Sequence, residues 1–257
     1  LEIGLGGRLD AANLIDPDLS IVTTVAMDHE SWLGSDLEQI GREKAGIFRP
    51  GVPALIGSLE GKIPNSVRET AETLGCGGIY QLGKEYSWQS EDGGQNDESA
   101  SGIESTVDIE RQSEKWQWQQ LSEQGELQQQ YLNLPRPGLP VDNAATVIQA
   151  VKLMQHSVPT AAIYQGIEQA SLTGRMQRIG RFLLDVAHNP HAATYVVQQL
   201  QRKAQSQSQQ GKRIALVGML DDKDIEAVLE ITAPHFDEWY VAQLDGPRAT
   251  PAGRIVK

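Results

Sequence analysis

The chain opens on Glu2-Ile3-Gly4-Leu5-Gly6-Gly7-Arg8-Leu9-Asp10-Ala11-Ala12-Asn13, with three glycines in four positions. Glycine has no Cβ and tolerates positive φ, so such a run lets backbone come close to a ligand. Glu2 stands just before the glycines. A carboxylate there could hold Mg2+ through one oxygen, with water and phosphate filling the octahedron. A loop-capping acid is the equal alternative. Because this run starts at residue 2, the chain is expected to be an excised or incomplete piece of a larger protein.

Two further clusters combine acids with histidines. Asp28-His29-Glu30 follows the β-branched run Ile21–Ala26, at the end of a strand where ligands bind in open α/β sheets. His29 is a candidate metal ligand that Asp28 would orient; the bland alternative is a polar turn. Asp185-Val186-Ala187-His188-Asn189-Pro190-His191 places an acid at a strand end and two histidines at a helix start. The acid suits a ribose hydroxyl pair and the helix N-terminus suits phosphate; the alternative is that His188 and Asn189 merely cap the helix, against which one turn holds both an acid and two histidines. Arg175 could reach phosphates across a domain cleft or make an interdomain salt bridge. Lys44, in Arg42-Glu43-Lys44, reads by pattern as part of a solvated charged face. Gly57–Ile63 is one residue short of a Walker A loop and has Ile63 where Ser or Thr is needed, so it reads as a surface turn.

The elements around these residues alternate. Ile21–Ala26 and Ala54–Ile56 read as buried strands. A helix capped by Ser35 or Asp36 runs to Ala45 with Gly46 as its stop, and a second spans Ser66–Leu74. Residues 84–134 have a different texture, with alternating aromatics between polar stretches. They predict a small antiparallel meander with a polar loop at about 90–110. Val141–Met154 is an amphipathic helix whose apolar stripe is Val141, Ala144, Ala145, Ile148 and Val151. Ser171–Arg175 carries turn signals and marks a domain boundary. Beyond it come a strand at Phe182–Leu184, a helix at Pro190–Leu200, a linker at 205–210, a strand at Ile214–Val217, a helix at Asp221–Ile231 and a strand at Trp239–Ala242. That order predicts an α/β fold with a parallel, doubly wound sheet.

Composition narrows the function classes. The 257 residues are 39% apolar and 22% charged, with net charge −12. So acidic a chain is a poor candidate for general nucleic-acid or anionic-membrane binding. One cysteine, Cys76, excludes a disulfide framework and a Cys-rich zinc site. No apolar run has the length of a membrane span and no signal peptide is visible, so a cytoplasmic protein is expected.

Together, Glu2–Asn13, Met27–Gly34, Gly41–Phe48, Asp142–Ala145, Gly174-Arg175, Asp185–Ala192, Gly218–Asp224 and Leu244–Arg248 resemble the folylpolyglutamate synthases. The resemblance is strongest to the bifunctional dihydrofolate synthase/folylpolyglutamate synthase branch of the Mur ligase superfamily, and it runs in the family's order along nearly the whole chain. It implies that residues 1–173 are the C-terminal part of a P-loop-type ATP-binding central domain carrying the meander at 84–134. Residues 174–257 would be an incomplete Rossmann-like glutamate ligase domain. The implied activity is ATP-dependent joining of L-glutamate to dihydropteroate, tetrahydrofolate or both, through an acyl phosphate.

The same resemblance assigns roles. Glu2 and His29 become Mg2+ ligands, with Lys44 carrying a carbamate that also binds the metal. Leu9, Asp10 and Ala11 line the pterin site. Asn143, Arg175 and Asp185 contact ATP, and His188 lies beside the phosphates or the incoming glutamate. Lys44 and His188 are the expected catalytic residues. The partners implied are small molecules only (dihydropteroate or folate, L-glutamate, ATP), with no nucleic acid and no membrane, and the protein is expected to be a monomer. The family's P-loop, its serine-type Mg2+ ligand and part of its pterin loop have no counterpart in the sequence, so the chain alone is expected to be inactive. Two other readings stay open: a Mur-type peptidoglycan-precursor ligase, against which the Gly4–Asn13 run speaks, and a metal-dependent hydrolase built on Asp28, His29, His188 and His191.

Overall fold

The computed structural model describes residues 1–26, 36–90, 115–122, 124–154, 156–206 and 211–255. Asp28, His29 and the polar loop at 90–110 therefore lie outside or largely outside the described residues. The described residues divide into two compact units, the first ending at Ser171 and the second starting at Leu172.

In the first unit β1 (Ser20–Val22), β2 (Ala54–Ile56) and β3 (Ile79–Gln81) form a parallel sheet in that order. The central β2 is buried along its whole length, as a parallel strand covered on both faces must be. Strand alternation splits its residues between two cores. Ala54 and Ile56 join Val22, Ile40, Phe48 and Val67 beneath two crossover helices, while Leu55 joins the other core.

Those helices are α1 (Leu37–Ala45) and α2 (Asn65–Leu74). Asp36 caps α1 by accepting from the Glu38 N–H at 2.9 Å. α1 ends at Gly46 in right-handed geometry, φ −62°, so this glycine is not a left-handed stop. It is small for another reason: a Cβ there would stand 2.5 Å from the Arg8 Cβ. α2 follows Pro64 and has no cap of its own. Glu38, from α1, substitutes by accepting from the Asn65 and Ser66 N–H groups at 3.2 and 2.8 Å. Gly75, with φ +66°, ends α2 in the left-handed conformation.

The second core of this unit lies under an antiparallel meander, β4 (Tyr86–Ser90), β5 (Lys115–Leu121) and β6 (Leu127–Pro135). Its aromatic side faces α3 (Val141–Leu153): Tyr86, Trp88, Trp116, Trp118 and Tyr131 pack with Val141, Ala145 and Ile148. The opposite side is a polar ladder in which Gln117 donates to Gln89 and Gln119 donates to Ser87. α4 (Thr160–Gln169) adds Ile163 and Ile167 to the core.

In the second unit one strand departs from the expected parallel order. β8 (Phe182–Leu184) pairs antiparallel with β7 (Gln177–Ile179) in a hairpin across Gly180-Arg181, a two-residue turn with Gly180 at φ +58°. A turn this short can only join antiparallel neighbours. Among the described residues the parallel pairing here is that of β9 (Ile214–Val217) with β10 (Glu238–Val241). α5 (Pro190–Ser206) runs past Leu200 and takes up the start of the expected linker. α6 (Ile225–Thr232) starts four residues later than expected, because Asp224 is the acid whose side chain accepts from the Ala227 N–H. α7 (Ala252–Ile255) follows. Ala193, Met219, Val228 and Ile255 form the core, while Ile214, Leu216 and Tyr240 are exposed.

Candidate functional site

The glycine-rich run of the first unit is organised by Asp10. One carboxylate oxygen accepts from the Gly4 and Leu5 N–H groups, both at 3.0 Å, and the other from Ala12 at 2.9 Å. These bonds, led by Ala12 and Leu5, hold the carboxyl below its ordinary pKa. The same acid caps a short 3-10 turn at Ala11–Leu14. Asp10 therefore shapes the loop from within, while Leu9 and Ala11 on either side of it point their surface to solvent.

This loop is seated on the C-terminal end of α1, which carries Lys44. The Arg8 N–H donates to the Glu43 carbonyl at 2.9 Å. The Arg8 guanidinium pairs with the Glu43 carboxylate at 3.0 Å. Gly7 is buried where a Cβ would stand 2.4 Å from the Glu43 carbonyl oxygen and 2.8 Å from the Lys44 Cα. Asn13 donates to the Arg8 and Gly46 carbonyls, and Arg49 donates to Asn13 through both its carbonyl and its side-chain oxygen. The structure thus brings Leu9, Asp10, Ala11 and Lys44 into one neighbourhood, with Lys44 half-buried. Asn13 and Arg49 were not singled out from sequence. Their only signal is an amide closing a glycine run and an arginine shortly after the end of α1.

Glu2 is exposed at the head of this loop. His29 lies outside the described residues. Among the described residues no group of three His, Cys, Asp or Glu side chains could hold a metal ion. Glu2 offers the hard oxygen that Mg2+ prefers; an unmodified Lys44 ammonium offers none, and a carbamate on it would. Asn143 is exposed in the first turn of α3, at the helix end whose dipole favours an anion.

In the second unit Asp185 has a role its sequence did not announce. One oxygen accepts from the Met176 N–H and the other from Ala187, both at 2.8 Å. Val186 N–H donates to the Gly174 carbonyl at 2.9 Å. The turn that displays Arg175 is thereby tied to the strand end, with Gly174 and Met176 both at positive φ, +70° and +45°. Each carboxylate oxygen keeps a second lone pair for another donor, such as a sugar hydroxyl. His188 places Nδ1 2.9 Å from the Val186 carbonyl. A carbonyl can only accept, so it is Nδ1 that carries a proton in this contact. Asn189 accepts from the Ala192 N–H at the start of α5. Arg175, Asp185 and His188 thus form one connected turn system, and His191 is exposed beside it.

Residues 174–257 match the Mur ligase, glutamate ligase domain. Over its whole length the chain is 37% identical to the dihydrofolate synthase/folylpolyglutamate synthase of Escherichia coli and 33% identical to that of Haemophilus influenzae. The chain is homologous to the dihydrofolate synthase/folylpolyglutamate synthases along its whole length. It spans 54% and 56% of those two relatives, about half their length. Among solved structures, E. coli FolC in complex with ADP superposes with a TM-score of 0.81 at 37% identity, covering all of this chain and 55% of that one. The Yersinia pestis enzyme complexed with AMPPNP and a manganese ion gives 0.81 at 40% identity, with 54% of its chain covered.

Proposed function

We propose that this chain is part of an ATP-dependent ligase that joins L-glutamate to dihydropteroate, tetrahydrofolate or both. The observation that carries the reading is the match to enzymes of that name along every residue of the chain, with ADP or AMPPNP bound in the solved relatives. In this reading residues 1–173 belong to the ATP-binding central domain and residues 174–257 to the glutamate ligase domain. The substrate carboxylate takes the terminal phosphoryl group of ATP, giving ADP and an acyl phosphate. The glutamate amine then attacks the acyl carbon and phosphate leaves.

The residues take the following parts. Leu9 and Ala11 present the surface for the pterin, on a loop that Asp10 holds in shape. Asn143, Arg175 and Asp185 hold ATP, Arg175 by charge-assisted bonds to phosphate and Asp185 through the lone pairs its backbone partners leave unused. His188 lies beside the phosphates or the incoming glutamate. Glu2, His29 and carbamylated Lys44 would hold Mg2+, which offsets charge on the transferring phosphoryl group. Small-molecule partners alone, a monomeric state and a cytoplasmic location belong to the same reading. The acidic charge speaks against nucleic acid and anionic membranes as partners, and among the described residues no helix is long and apolar enough to cross a membrane.

The test is an assay of the full-length polypeptide with ATP and glutamate, offering dihydropteroate and tetrahydrofolate in turn. ADP formation that depends on both glutamate and one of the pterin substrates is expected. ADP formation that needs neither would overturn the proposal.

A further inference from the structure

We infer that Trp88 and Tyr86, on the meander, are positioning residues for the nucleotide: they fix the first turn of α3, which carries Asn143. This rests on the reading of Asn143 as an ATP contact. Pro140 occupies the cap position of this turn and makes no side-chain capping bond. The placement of the turn comes from the sheets instead. The Trp88 indole N–H donates to the Asp142 carboxylate at 2.6 Å, the residue directly before Asn143. Trp88 is itself locked, nearly buried and edge-to-face with Trp116 at 6.4 Å.

A second tether runs through hydroxyls. The Tyr86 O–H donates to the Ile56 carbonyl at 3.0 Å and stands 3.0 Å from the Thr146 hydroxyl. Thr146 donates to the Asp142 carbonyl at 2.7 Å. Two hydroxyl protons serve three contacts, so one of them is shared, and the pair of hydroxyls ties strand to helix. Gly57 closes the joint, because a Cβ there would stand 2.9 Å from the Thr146 hydroxyl. Burial pushes the Tyr86 pKa upward, so this hydroxyl keeps its proton at any working pH. Side chain and carbonyl of Asp142 are thus both held, one by β4 directly and one through Thr146, Tyr86 and the end of β2. Asn143 is exposed on a turn whose direction the meander and the parallel sheet set together. The meander, which bears none of the chemistry, serves in this scheme as a brace for the adenine-nucleotide end of the site.

The experiment uses the full-length polypeptide and compares Trp88→Phe, Asp142→Ala, Asp142→Asn and Asn143→Ala. The readouts are KM for ATP, KM for glutamate and for the pterin substrate, kcat, and the melting temperature. Trp88→Phe keeps the ring and removes the donor; Asp142→Ala removes the acceptor without touching the core. Both should raise KM for ATP about tenfold, the change expected for loss of one hydrogen bond to a charged group. KM for the other two substrates should stay unchanged. Asp142→Asn keeps an oxygen for the indole and should restore KM for ATP to within about twofold. A purely structural role would instead lower kcat and melting temperature and leave KM for ATP alone, which would overturn the inference. If Asn143→Ala raises KM for ATP while Trp88→Phe and Asp142→Ala do not, the inference fails and the proposed role of Asn143 stands. If none of the four changes it, the role of Asn143 fails, and the inference with it.

Discussion

Replacing Gly7 with alanine tests the seat of the glycine-rich loop. The added Cβ would meet three main-chain atoms of α1, the Glu43 oxygen at 2.4 Å, the Lys44 Cα at 2.8 Å and the Lys44 oxygen at 2.9 Å. No rotamer change relieves a clash with backbone, so loop or helix must move. Ordinary contact begins at 3.4 Å, and the retreat from 2.4 Å is about 1 Å. That distance is enough to break the Arg8 N–H to Glu43 carbonyl bond, now 2.9 Å. Overpacking of this kind destabilises by about 1–3 kcal/mol. On the chain itself, urea denaturation should show that loss, and the Arg8 amide should exchange faster than in the parent chain. In the full-length polypeptide a displacement of about 1 Å at the site should cost roughly 10²-fold in kcat/KM. Gly4→Ala is the internal control for stability, since its Cβ would meet Asp10 at an ordinary 3.4 Å. A Gly7→Ala chain with unaltered denaturation midpoint and unaltered Arg8 exchange would refute the argument.

Other outcomes follow from the same geometry. Lys44→Ala in the full-length polypeptide should abolish turnover with little change in melting temperature, and added short carboxylates should restore part of it; near-normal turnover would end the carbamate proposal. Asp185→Asn keeps one acceptor for the 174–187 turn and Asp185→Ala keeps none, so KM for ATP should rise more with alanine; an unchanged KM for ATP in both would reject contact with the nucleotide. Asp10 and Glu38 both have depressed pKa values in the fold, caused first by the Ala12 and Ser66 N–H groups respectively. Their stabilisation is present above the ordinary values of 3.8 and 4.5 and is lost as pH falls through the lower folded values. The urea midpoint should therefore drop below about pH 4.5, and Asp10→Asn with Glu38→Gln should flatten that drop. Finally, the 257 residues hold no Walker A loop, so calorimetry on the chain alone should detect no low-micromolar MgATP binding.

What the residues disclosed in advance depended on how strongly a local pattern was written. The helix Val141–Leu153 was legible because Val141, Ala144, Ala145 and Ile148 repeat at helical spacing, and all four are buried. The Ala54–Ile56 strand was legible because a parallel strand is apolar throughout. β7 was not: Gln177-Arg178-Ile179 is short, half polar and largely exposed, so it carries no alternation to read. β3 has only three residues. α4 offers only two anchors, Ile163 and Ile167, around Gly166. The run Asp221-Asp222-Lys223-Asp224 holds three possible caps, and only geometry chooses Asp224. At the site, residue type showed which side chains could do chemistry but not which were engaged already. Asp10 and Asp185 looked like ligand contacts, and both spend hydrogen-bonding capacity on backbone. That use depends on φ and ψ two to nine residues away, which no spacing rule contains.

The Asp10 hub also bears on the thermodynamics of recognition. A glycine-rich segment loses more backbone freedom on ordering than any other, about 1–2 kcal/mol per residue. Here that ordering is complete within the fold, since Asp10, Arg8 and Asn13 close the segment on itself and on α1. A ligand laid against Leu9, which is 79% exposed, meets a surface already set and need not supply the entropy of shaping it. The heat-capacity change of binding should then scale with the apolar area covered, without the larger signature of a segment folding around its guest.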